Sequence, residues 1–291
     1  MRKSPISDLN DNVEDSWSRL VPEKLDILIS KGCSPYIVFT DDLGFSFKVT
    51  PNDRKISIAV GAQEYLWCAC YTFYLVYQKY GHAQQKGQSV LDLLGDDELR
   101  EAMVLYKWGY IQLKSPTFWP NDCPMPTINP SNEHVKVANE LYLCAMGWIL
   151  HHEIAHIYKN HKSTDDDVKS RQQEDEADKS AAEFILAGIA DNATINKRCL
   201  GGAIAFLVMT SKDLLSEEAA IFQENTHPKS FVRLKEVLDK YCIDKDHVAY
   251  GLCTVMIHSH MGMRGKQTTI NHENKSWKED FMDCCKTFEA M

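Results

Sequence analysis

The rhythm of apolar and polar positions changes several times along the 291 residues. The first 30 read as helix after a ragged start, with Trp17, Leu20, Leu25, Ile27 and Leu28 to bury. Residues 36–40, 45–49 and 55–60 are short β-rich runs. Turn-forming Asp41-Asp42-Leu43-Gly44 and Pro51-Asn52-Asp53 separate them. This predicts a small three-stranded antiparallel sheet at about 35–60. Residues 60–80 are apolar and aromatic but broken by Gln63, Glu64, Thr72, Gln78 and Lys79, which predicts a buried helix and not a membrane span. A polar stretch to residue 97, a helix at 98–113 and a loop at 115–131 with five prolines follow. Asn129-Pro130 reads as cap and first turn of a helix at about 130–160. After a charged connection at 162–169, helices are predicted at about 171–190, 196–216, 228–241, 246–262 and 275–289. No repeat or linker divides the chain. The expectation is one α+β domain over 1–291, mostly helical, with a small N-terminal sheet.

The helix at 130–160 ends in His151-His152-Glu153-Ile154-Ala155-His156, which contains His-Glu-x-x-His. Histidines four residues apart lie on one helical face, so both rings can reach one metal ion. Glu153 points to the side where an attacking water would sit, as a zinc hydrolase requires. Roughly one chain in forty of this composition carries the short motif by chance, so its context matters. Leu141, Ala145, Trp148, His152 and His156 form a single stripe, and the histidines continue a face already directed at the core. The bland reading is a buried helix end with hydrogen-bonded histidines.

Two histidines hold zinc weakly, so a third ligand is expected. His161 follows His156 too closely for the extended His-Glu-x-x-His-x-x-Gly-x-x-His form. The predicted helix at 171–190 offers Glu174 or Glu176, with helix phase favouring Glu174. Asp178, one turn beyond Glu174, is placed to orient a ligand histidine through its free ring N–H. Small residues at 177, 181 and 182 allow close helix approach.

Composition narrows the setting. With 44% hydrophobic and 25% charged residues the chain is ordinary for a globular protein. A net charge of −9, with no basic stripe, argues against nucleic acid or anionic membranes as partners. Of ten cysteines, Cys68, Cys70, Cys144 and Cys253 fall in apolar helical runs, where free thiols pack as small hydrophobes. The N-terminus shows no apolar signal segment, and a reducing cytoplasmic setting is expected.

Further residues carry a family resemblance. They are Glu64-Tyr65 with Trp67, Trp119-Pro120 with Cys123-Pro124 and Pro126, Leu143-Cys144-Ala145 with Trp148 to Glu153 and His156, Glu174 with Glu176-Ala177-Asp178, Asn225-Thr226-His227-Pro228, and Leu252 to Met256. In these the chain resembles the Lit-type phage-exclusion peptidases of bacteria over nearly its whole length. The resemblance implies a zincin-like core with one Zn²⁺ per chain. It also implies elongation factor Tu as substrate and a phage-derived peptide as activator, in abortive infection. Thr226-His227-Pro228 with Arg233 is also similar to a segment of zinc peptidases with Glu as third ligand. That likeness places His227 near the metal, to gate it or to help the oxyanion, with Arg233 as a further candidate to support the site or the oxyanion, whereas the plain reading of His227-Pro228 is a helix start. A protease acting on an essential host protein needs restraint, for which the loops at 115–131 and 162–170 are candidate lids. The competing readings are a zincin-fold sensor without proteolysis and a regulatory protease with another substrate.

Overall fold

The computed structural model describes residues 4–32, 34–88, 91–93, 95–215, 230–242, 244–263, 270 and 275–289. Helices dominate. They are α1 (Asn10–Leu20), α2 (Leu25–Ser30), α3 (Val60–Gln85), α4 (Asp97–Gln112), α5 (Glu133–Tyr158), α6 (Asp167–Leu186), α7 (Asn192–Leu215), α8 (Ser230–Tyr241), α9 (Val248–Met263) and α10 (Trp277–Glu289). The strands are β1 (Tyr36–Thr40), β2 (Phe47–Thr50) and β3 (Lys55–Ala59). The fold is thus mostly helical α+β, as the pattern predicted. No described helix is long and apolar enough to cross a membrane.

The sheet corrects one expectation. Its order is β1-β3-β2, with β3 parallel to β1 and antiparallel to β2. Ile56 and Ile58 on β3 are fully buried, and the most buried strand takes the centre. The connection at 41–46 skips the middle position and crosses the two strand spacings, about 10 Å, that separate β1 from β2. Gly44, at φ +87°, makes the turn that this connection needs. β3 then runs straight into α3.

α3 and α5 are buried on nearly every side, which marks them as the centre of the core. α3 packs against α4, α5 and α9, and α5 against α1, α3, α6 and α7. The expected start of α5 also shifts. Asn132, not Asn129, is its cap, and its Oδ1 accepts from the N–H groups of His134 and Val135 at 2.8 and 3.3 Å. Asn132 has the extended backbone a cap requires, and its carboxamide meets the orphan N–H groups directly. Asp166 caps α6 in the same way. All nine described cysteines are free, eight of them buried.

α5 is held at fixed depth by α7. A Cβ added at Gly202 would sit 2.7 Å from the Trp148 ring, and one at Gly201 would sit 3.0 Å from Cys144 Cβ. Trp148 Nε1 donates to the Arg198 carbonyl at 2.7 Å across the same crossing. A second clasp comes from the N-terminal region. His151 Nε2 donates to the Trp17 carbonyl at 2.9 Å. The buried Arg198 guanidinium makes two bonds to Glu23, at 2.7 and 2.9 Å, and a third to the Ile185 carbonyl. Lys24 Nζ donates to the Phe184 and Ala187 carbonyls at the C-terminal end of α6. One short segment thereby ties α5, α6 and α7 together.

Two outcomes are expected. Gly202→Ala should cost about 1–3 kcal/mol through overpacking against Trp148, measured by urea denaturation. Arg198 holds Glu23 down from 4.5 to about 2 through their hydrogen bonds, against the opposing pull of burial. A lowered folded-state pKa stabilises above the unfolded value, and that contribution is lost as pH falls toward 2. Glu23→Gln should therefore destabilise at pH 7, and the gap to the parent should close between about pH 5 and pH 2.

Candidate active site

The last two turns of α5 carry His152, Glu153 and His156, and α6 carries Glu174 and Asp178. The packing of α6 on α5, over the small buried Ala177, Ala181 and Ala182, brings the two sets together. His152 Nε2 lies 3.1 Å from His156 Nε2 and 3.2 Å from Glu174 Oε2. His156 Nε2 lies 3.5 Å from Glu174 Oε1. The three side chains are 10–14% exposed. Among the described residues, His152, His156 and Glu174 form the one group of this kind able to hold a metal ion.

The donor set fits such an ion. A tetrahedral metal with bonds of about 2.0–2.1 Å holds its ligand atoms roughly 3.3–3.4 Å apart. The two Nε2 atoms are 3.1 Å apart, each histidine has one Glu174 oxygen close to it, and one ligand atom from each residue lies within 4.8 Å of the others. His152 Nδ1 donates to Asp178 Oδ1 at 2.8 Å, which fixes the tautomer and leaves the Nε2 lone pair facing its neighbours. The groups gathered here are three carboxylates, Glu153, Glu174 and Asp178, with His152 and the Arg233 guanidinium among them. Burial opposes a charged imidazole at His152, but Asp178 and Glu174 outweigh it and drive its pKa up. Burial and the charge at His152 drive His156 down. Burial lifts Glu153 to about 7, with the Glu174 and Asp178 carboxylates adding to the rise and His152 and Arg233 opposing it.

Behind His152 stands a buried ion pair. Arg233 on α8 donates through Nε and Nη2 to the two Asp178 oxygens, at 2.5 and 2.6 Å, and its guanidinium lies 4.9 Å from the Phe206 ring centre. The sequence offered Arg233 as a residue supporting the site or the oxyanion. The structure sets it behind Asp178. Glu176, the alternative to Glu174, faces the other way and accepts from Lys159 at 2.7 Å, with His161 Nε2 at 3.3 Å. His161, set aside as a ligand on spacing, lies directly behind His156, at 2.8 Å between the two Nδ1 atoms. Its signal in the sequence was the short interval itself, five residues past the second histidine. His227 lies outside the described residues.

The two candidate lids are placed differently. The proline-rich loop is pinned to α4 and the N-terminal half of α5. Trp119 packs between Trp67 and Trp108, and Asn139 Nδ2 donates to the Thr127 carbonyl. Asn139 precedes His152 by 13 residues, about 20 Å along a helix. The segment after α5 adjoins the donors, with Lys162 N donating to Gln173 Oε1 and Gln173 Nε2 to the Lys162 carbonyl.

The comparisons with known proteins place the chain in a family. The peptidase U49 family matches residues 56–253, a span that includes every donor named above. The chain is 30% identical over 285 residues to the cell death peptidase of Escherichia coli (strain K12), covering 94% of each protein. No solved structure matches. The chain is a peptidase. It belongs to the peptidase U49 family, in line with the Lit-type resemblance read from the sequence.

The Asp178–Arg233 pair provides a direct test. Arg233→Met should leave a buried carboxylate without its main partner and cost about 3–5 kcal/mol in urea denaturation. Adding Asp178→Asn should recover a substantial part of that loss, because the uncompensated charge is removed.

Proposed function

We propose that this protein is a zinc-dependent endopeptidase acting in the cytoplasm, with one Zn²⁺ held by His152, His156 and Glu174. The observation that carries the reading is the grouping of their ligand atoms, one from each residue within 4.8 Å of the others, with Glu153 on the same helix turn as His152 and His156. A bound zinc would lower the pKa of water toward about 7 and polarise the carbonyl under attack. Glu153 is the general base. It takes a proton from the attacking water and passes it to the leaving amine. Its burial suits it to hold and release that proton near neutrality. Asp178, itself fixed by Arg233, keeps the His152 ring in position. An extended substrate segment adds to an edge of the sheet, where β2 packs against α5. His227 would stand near the metal by the likeness noted in the sequence.

The substrate in this reading is host elongation factor Tu, cut once a phage-derived peptide activates the enzyme, in abortive infection. The family resemblance and the name of the Escherichia coli relative, cell death peptidase, support it. Glu153 argues against a sensor that only binds, because a structural metal needs no carboxylate base beside it.

Intact-mass spectrometry of elongation factor Tu, incubated with the protein and lysate from phage-infected cells, tests this reading. Two fragments are expected, absent with Glu153→Gln and absent with a chelator. Glu153→Gln should retain zinc, whereas His156→Ala should lose both zinc and activity. Cleavage by Glu153→Gln at the parent rate would overturn the assignment of the base. Intact factor from zinc-loaded protein would overturn the substrate or the trigger.

A further inference from the structure

α5 ends in a left-handed turn whose geometry sets two histidines against each other. Asn160 has φ +54°. The N–H of Asn160 bonds to the Ile157 carbonyl and that of His161 to the His156 carbonyl, both at 3.1 Å. This paired pattern closes a helix C-terminus and places the side chain two residues past the cap over the one three positions before it. In most proteins that contact is apolar. Here it joins the ligand His156 to His161, with ring centres 4.8 Å apart and Nδ1 atoms at 2.8 Å.

A histidine that offers Nε2 to a metal carries its proton on Nδ1 and must donate it. Asp178 is that acceptor for His152. His156 Nδ1 faces His161 Nδ1. For the contact to be a hydrogen bond with His156 as donor, His161 must hold its own proton on Nε2. That nitrogen faces Glu176 Oε2 at 3.3 Å, and the other Glu176 oxygen accepts from Lys159 at 2.7 Å. One assignment therefore satisfies the whole chain: His156 donates to His161, His161 to Glu176, and Lys159 to Glu176. The His161 side chain is only 8% exposed, so water competes poorly for its bond to His156.

We propose that His161 is a positioning residue for the metal centre, holding the His156 ring so that Nε2 faces the ion, and that Glu176 in turn sets the tautomer of His161. The proposal rests on the zinc reading above. It gives Glu176 a task other than ligation and gives the turn at Asn160 a functional consequence.

The test is zinc affinity of the full chain, measured by competition with a chromophoric chelator, for the parent, His161→Phe and His161→Asn. Phe keeps a flat ring and removes the acceptor. Asn places an oxygen where Nδ1 stood. His161→Phe should bind zinc about 10–100-fold more weakly, the usual cost of losing such a partner. His161→Asn should stay within about threefold of the parent, and Glu176→Gln should fall between the two. Metal-free melting midpoints should agree across the set, separating support of the ligand from support of the fold. If the Phe variant fails to fold, His161→Leu takes its place in the same comparison. Equal affinity of the acceptor-less variant and the parent overturns the proposal alone. So does an Asn variant as weak as Phe. A parent that takes up no zinc overturns the zinc reading and the proposal together.

Discussion

The geometry of the site hangs on one buried carboxylate. Asp178 accepts a hydrogen bond from His152 on α5 and two from Arg233 on α8, while its own backbone belongs to α6. Two consecutive helices and a third that is distant in the chain are thus registered through a single side chain that is 13% exposed. Such a group is costly to bury and unforgiving once buried, because removing any partner leaves an uncompensated charge. The return for that cost is directional. A bidentate guanidinium allows the carboxylate one orientation, and that orientation aims the remaining lone pair at His152 Nδ1.

That arrangement works only if α5, α6 and α7 keep their mutual depth and register, and the packing around them supplies both. Glycines at 201 and 202 let α7 approach α5 to the limit of van der Waals contact. The clasp made by Glu23, Lys24 and Arg198 then fixes the far end of α6, satisfying carbonyls that a helix end leaves open. The donors sit at the C-terminal end of α5, and the clasp sits at the C-terminal end of α6. Neither helix can slide by a residue without breaking bonds at a buried guanidinium.

The parts of this structure that follow a local period were legible in the sequence. The stripe through Trp148, His152 and His156 announced both the helix and its buried face, and helix phase distinguished Glu174 from Glu176. What escaped depends on partners far away. Alternation along a strand says which face is buried but not which strand is the neighbour, so β3 in the centre of a mixed sheet could not be read from 35–60. The cap at Asn132 was missed because Asn129-Pro130 offered an equally good local signal. Arg233 gave no local sign that it would meet Asp178 55 residues upstream. His161 was judged only by the spacing rule for ligands, which is silent about residues that support one.

The two histidines are supported by different means, and the difference has consequences. His152 rests on a pair of buried charges deep among α6, α7 and α8, which salt and solvent scarcely reach. His156 rests on His161 and, through it, on a Glu176 side chain that is 50% exposed and a Lys159 that is 35% exposed. Exposed pairs of that kind are weak and screened. The His156 side of the site is therefore the softer one, and it adjoins the charged segment that joins α5 to α6. If activity is to be restrained and then released, a partner that moves that segment has a short path to a ligand ring. It need not disturb the core that holds the other.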